Sequence, residues 1–151
     1  EINWAEDFIK KYSEKLSPEV RRETVLFAWA EIYFHRKKYE KVLETLSKET
    51  FSEPGEKISV RILIAQAFYE LKEFETLLNY IDTSLRFLNK NVTLSESKLS
   101  YFKRFLGLLK KIIDTANKQN DSEKEILIKN LKSLQTAEKN WLIKKSEEII
   151  C

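Results

Sequence analysis

Residues 30–46, AEIYFHRKKYEKVLETL, and residues 65–81, AQAFYELKEFETLLNYI, carry the same pattern 35 residues apart. Self-similarity at a fixed period constrains a fold more than any single motif, because it implies one structural unit made twice. Tyr33 aligns with Phe68, Phe34 with Tyr69, Lys37 with Lys72 and Tyr39 with Phe74. Glu40 aligns with Glu75, Val42 with Leu77, Leu43 with Leu78, and Leu46 with Ile81. The spacing says what the unit is. Trp29, Ile32 and Tyr33 recur at i, i+3 and i+4, one face of a helix, and Tyr39, Val42, Leu43 and Leu46 do the same in the next stretch. The polar run His35–Arg36–Lys37–Lys38 separates the two faces. Each unit therefore reads as helix, short turn, helix. Ala30 and Ala65 are small where their neighbours are aromatic, so a partner helix can approach closely there while a ring fills the space beside it.

These residues resemble the tetratricopeptide repeat (TPR), whose period is about 34 residues. The resemblance spans residues 22–90, or two units. In that family a small residue on the first helix is followed by an aromatic three later, and another aromatic opens the second helix. Here these are Ala30, Tyr33 and Tyr39, then Ala65, Phe68 and Phe74. Lys37 and Lys72 stand where the family's turn usually carries glycine, and Val42 and Leu77 where it carries a second alanine. The larger pair implies slightly wider helix spacing. A second likeness is to the C-terminal part of large, mostly uncharacterised bacterial TPR proteins. It rests on Phe87–Leu88–Asn89–Lys90–Asn91, Leu94–Ser95–Glu96 and Tyr101–Phe102. The resemblance implies an all-α fold, a TPR-like right-handed α-α superhelix of about two repeats. A flanking N-terminal helix and a long C-terminal helical hairpin complete it.

The rest of the chain fits one helical-repeat domain over residues 1–151. The scarcity of turn formers, with only 2 Gly and 2 Pro, argues against a many-stranded β fold. Trp4, Phe8, Tyr12 and Leu16 lie four apart, giving an amphipathic helix over 2–16. It reads as the second half of a preceding repeat whose apolar stripe has lost part of its neighbour. Ser17–Pro18–Glu19 restarts the chain as a helix N-terminus. Repeat 1 spans 18–48, and repeat 2 spans 57–90 after a loop in which Pro54–Gly55 marks a turn. The hairpin spans 94–150. Thr93 with Glu96, and Ser122 with Glu125, are its capping-box candidates. Leu127, Leu131, Leu134, Ala137 and Trp141 carry one final helix towards Ile149.

Catalytic chemistry finds little material. His35 is the sole histidine and Cys151 the sole cysteine, at the opposite end of the chain. A nucleophile needs a base beside it, and a metal site needs several ligands. The expectation is no catalytic residue, no metal and no cofactor, and no intramolecular disulfide is possible. Neighbouring acids such as Glu147–Glu148 do not face each other on a helix. Net charge is +3, from 27 basic and 24 acidic residues. That excess, with a pI near 8.8, argues against nucleic acid as the main partner, since such binders carry a basic stripe. No apolar run approaches the ~20 residues that span a bilayer, so no membrane insertion is expected. No signal peptide opens the chain, and the expected location is cytoplasmic. The absence of any Met leads to the expectation that this is a piece of a longer protein.

The expected function is a non-enzymatic protein–protein interaction or scaffold module with a protein or peptide partner. In the TPR family the first helices line a concave groove. Carried over, that implies Thr24, Phe27, Glu31, Phe34 and His35, then Ile62, Gln66, Tyr69 and Glu70. Such a mixed aromatic and acidic groove suits a helix or extended segment with apolar anchors and some positive charge. The alternatives are a nucleic-acid-binding module using scattered basic patches, and an accessory domain of a larger enzyme.

Overall fold

A computed structural model describes residues 2–48, 50–90, 94–118 and 120–149. Every regular element among them is helical. The order is α1 (Ile2–Tyr12), a 3₁₀ turn (Ser13–Lys15), α2 (Pro18–His35), α3 (Tyr39–Ser47), α4 (Pro54–Glu70), α5 (Phe74–Lys90), α6 (Glu96–Ala116), α7 (Asp121–Ser133) and α8 (Lys139–Glu148). The chain divides into two compact units, Glu1–Leu77 and Leu78–Cys151, with the division falling inside α5.

The turn between α2 and α3 recurs between α4 and α5, bond for bond. The Lys38 amide donates to the Tyr33 carbonyl at 2.9 Å and the Lys37 amide to Phe34 at 2.9 Å. In the second copy Glu73 donates to Phe68 at 3.0 Å and Lys72 to Tyr69 at 3.0 Å. This is the Schellman arrangement, which satisfies the last carbonyls of a helix and requires a left-handed residue just past its end. Lys37 supplies it with φ 58 and Lys72 with φ 61. Glycine adopts that conformation freely, whereas a lysine pays for it in Cβ crowding.

The turn sets up an aromatic clasp, also made twice. Phe34 meets Tyr39 edge-on with ring centres 5.3 Å apart, and Tyr69 meets Phe74 at 5.5 Å. Each pair links the last turn of one helix to the first residue of the next. The small residues behave alike: Ala30 and Ala65 are both wholly buried, as are Val42 and Leu77.

In the first unit α2 packs on α3, and α4 packs on both. Their core joins Ala30, Val42, Leu46, Val60, Leu63 and Ala67, with Phe51 folded in from the connecting segment. Full burial of each Leu or Phe there contributes about 1.5–3 kcal/mol. Both α2 and α4 begin with proline at the first helical position, Pro18 and Pro54. Pro54 therefore starts α4 ahead of the boundary expected at 57. Its missing N–H costs nothing there, and Glu53 before it is extended.

In the second unit α6 packs on α7 and α8, and α7 on α8. Phe105, Leu109, Ile112, Leu127, Leu131 and Leu142 are wholly or almost wholly buried. Lys110 of α6 reaches Asp82 of α5 at 3.3 Å. Two expectations fail here. The single final helix is two, α7 and α8, separated at Leu134–Glu138. The cap of α7 is not Ser122 with Glu125: Asn120 accepts from the Glu123 amide at 3.4 Å. Thr93, Asn91 and the terminal residues 150–151 lie outside the described residues. The N-cap position of α6 is Ser95, whose side chain makes no capping hydrogen bond.

The strained turns generate a prediction. Lys37→Gly and Lys72→Gly should each stabilise the chain by about 0.5–1 kcal/mol in urea unfolding, since the left-handed conformation costs an L-residue more than glycine's added entropy. Lys38→Gly, where φ is −96, should destabilise it.

Candidate functional site

The site begins with how α1 is held. Arg36, just past α2, grips Glu6 in a two-pronged fork, Nη1 to Oε1 at 2.7 Å and Nη2 to Oε2 at 2.9 Å. It also donates to the Asn3 side chain at 3.2 Å. At the other end Arg21 of α2 donates to the carbonyls of Glu14 and Leu16. The start of α1 thus lies by the end of α2, and the two helices run antiparallel, tied at both ends. A planar guanidinium–carboxylate fork fixes orientation as well as distance.

This leaves a cleft of about 680 Å³ between the two helices. Trp4, Phe8 and Ile9 form one wall; Phe27, Glu31 and His35 form the other. Trp4 is 69% exposed and Phe8 46%. Their rings lie 5.1 Å apart, and Phe8 stacks on towards Tyr12 at 4.5 Å. Lys15 sits 4.6 Å from the Tyr12 ring and Lys11 5.4 Å. A cation on the ring face favours holding the ladder's inner end in place. Glu31 supplies the acidic rim, with His35 Nε2 3.9 Å from its carboxylate.

The nine residues expected to line a groove part company. Phe27, Glu31 and His35 come together in this cleft. Phe34 and Tyr69 are half-buried and engaged in the two aromatic clasps. Ile62 and Gln66 are 6% and 3% exposed, interior side chains rather than open surface. Thr24 and Glu70 are half-buried and do not line the cleft. Trp4 and Phe8 were missing from the expected set. Their four-residue spacing on a stripe short of a neighbour was the sequence signal for them.

A second cleft of about 600 Å³ gathers Arg21, Arg22 and Lys48 beside Val25 and Leu26. Lys48 already pairs with Glu44 at 2.7 Å, and Arg21 already serves backbone carbonyls. Among the described residues, no three His, Cys, Asp or Glu gather where they could hold a metal ion. Nor, among them, is any helix long and apolar enough to cross a membrane. No protein-family model, curated protein or solved structure matches the chain.

One carboxylate cluster is electrostatically active. Glu23 of α2 accepts from the Ser52 amide at 2.9 Å and from its hydroxyl at 3.0 Å. The Ser52 amide is the main reason its carboxyl lies below the ordinary value of 4.5. Glu56 on the first turn of α4 is pushed the other way, by burial first, then by its hydrogen bond to Glu23 and the charges of Glu23 and Glu53. A carboxyl whose folded value is raised stabilises the fold below its unfolded value and loses that contribution as pH rises through the folded one. Ionised Glu56 is therefore a cost at neutral pH. Glu56→Gln, which supplies Glu23 with the donor that the ionised side chain lacks, should raise the thermal midpoint at pH 7 by about 1–2 °C. The gain should vanish at pH 3, where the wild-type carboxyl is protonated; calorimetry at both values checks it.

Proposed function

We propose that this chain is a non-enzymatic protein-interaction module built on TPR-like helical hairpins. Its docking surface is the cleft between α1 and α2. The observation that carries this reading is the exposed Trp4–Phe8 ladder lining an open, tied cleft. Trp4 and Phe8 stand exposed side by side on a tethered scaffold, and aromatic anchors dominate interface energetics. The repeated turn and clasp support the TPR-like part. Lysines occupy the left-handed position that glycine fills elsewhere in that family, so the geometry is kept while the residue differs.

The partner is an amphipathic helix. Two antiparallel helices present a groove that a third helix fills with residues at i, i+3, i+4 and i+7. Glu31 at the rim asks for a lysine or arginine beside those apolar anchors. The basic cleft at Arg21, Arg22 and Lys48 gives the nucleic-acid alternative a location, but its cations are partly committed.

The test uses basic amphipathic helical peptides titrated against the chain, read by the part of the tryptophan emission change that is lost in Trp4→Phe, since Trp29 and Trp141 also emit. Binding should shift emission to the blue, and Trp4→Ala with Phe8→Ala should weaken capture of a helical partner at least 10-fold, as truncating aromatic anchors does. Both side chains are exposed, so the thermal midpoint should stay within about 2 °C. Undiminished capture by that double variant would remove the cleft. Affinity for single-stranded DNA falling steeply with salt would favour the basic cleft instead.

A further inference from the structure

The end of the chain folds as two helices where the sequence writes one. Residues 121–149 contain no glycine and no proline. The stripe Leu127, Leu131, Leu134 and Trp141 keeps helical phase straight through the break. Nothing local therefore ends α7 at Ser133.

The break is locally unfavourable in two places. Glu138 sits at φ 48, an L-residue in the left-handed region. The Thr136 hydroxyl is buried with no hydrogen-bond partner, which costs its hydration without return. What holds the bend is tertiary. Arg104 of α6 donates to the Gln135 carbonyl. Lys139 Nζ donates to the Lys132 carbonyl at 2.8 Å, and Lys132 pairs with Glu147 across the bend at 3.0 Å. α8 then buries Leu142 and Ser146 completely and sets Trp141 6.4 Å from Phe105.

A strained bend between two well-packed arms has a second solution. If 134–138 turns helical, α7 and α8 become one rod about 40 Å long. The carbonyls of Lys132 and Gln135 then accept from their own helix, Glu138 relaxes, and Thr136 leaves the interior. The rod can no longer bring α8 back to its own α6. Those contacts are kept only if α8 packs on the α6 and α7 of another molecule. The geometry points to a second copy of this chain as a partner, through reciprocal exchange of α8 in a closed two-fold dimer. Exchange of an identical element across a strained hinge remakes every native contact except those of the hinge itself. A lone chain stays bent because straightening would strand Leu142 and Ser146 in water. The exchange therefore depends on protein concentration and is independent of the α1–α2 cleft.

The experiment follows the dimer by light scattering after incubation over a range of concentrations. Wild type should show a dimer fraction rising with concentration. Arg104→Ala removes a contact found only in the bent form, and should tighten dimerisation at least 10-fold, counting a charged donor lost in each chain. Gln135→Pro should abolish the dimer, because Leu134 before it is already extended, φ −87 and ψ 151, whereas proline breaks a continuous helix. Glu138→Gly should do the same by relieving the bend and weakening the rod. It also serves as the second lock should the proline variant misfold. The exchange itself is read by mixing Lys132→Cys and Glu147→Cys chains, each with Cys151→Ser, and adding a short bismaleimide. A covalent heterodimer should form, and should not form in the Gln135→Pro background. Monomer at every concentration in both wild type and Arg104→Ala overturns the proposal. So does a dimer that yields no cross-link, or one that persists in both Gln135→Pro and Glu138→Gly.

Discussion

The left-handed turn at Lys37, repeated at Lys72, is the constraint on which the hairpins depend. Two hydrogen bonds from residues past the helix end fold back onto carbonyls inside it, at 2.9 Å in the first copy and 3.0 Å in the second. That geometry admits no ordinary backbone conformation at its centre. Once it forms, the chain reverses within three residues, and the aromatic on the last turn of one helix lands on the first residue of the next. Tight reversal then makes the alanines necessary. Ala30 and Ala65 lie wholly buried on the first helix of each hairpin, where a larger side chain would hold the pair apart. Turn, clasp and small residue form one device used twice.

That device changes the meaning of two aromatics. Phe34 and Tyr69 are expected in a partner groove because they lie on the first helix of each unit. Each instead locks a turn, in company with Tyr39 or Phe74. The two most exposed aromatics, Trp4 and Phe8, lie on α1, which belongs to neither hairpin. There Trp4 and Phe8 stand exposed while the helix beneath them is tied down by Arg36 and Arg21. For the docking proposed above, side chains already held on a tethered helix would lose little freedom on binding.

Much of the fold was legible because the relevant forces are local. Period, turn positions, buried alanines and apolar faces follow from helix geometry and side-chain size. The start of α4 at Pro54 was legible in principle, since Pro18 opens α2 in the same way. The cleft was legible only by halves. Trp4 and Phe8 announced an unpartnered stripe, but that α2 would offer Phe27, Glu31 and His35 to face it depended on Arg36 reaching Glu6, a contact 30 residues apart in sequence.

The sequence by itself determined that the chain is helical and twice-repeated, because spacing, residue size and the scarcity of Gly and Pro act within a single turn or hairpin. It did not determine where the last helix ends. Residues 121–149 satisfy every local rule for a continuous helix, yet Glu138 is left-handed and Thr136 is buried without a partner. Only the tertiary structure decided this. Burying Leu142 and Ser146 and setting Trp141 against Phe105 outweighs the cost of five residues out of helix, and no local signal carries that comparison.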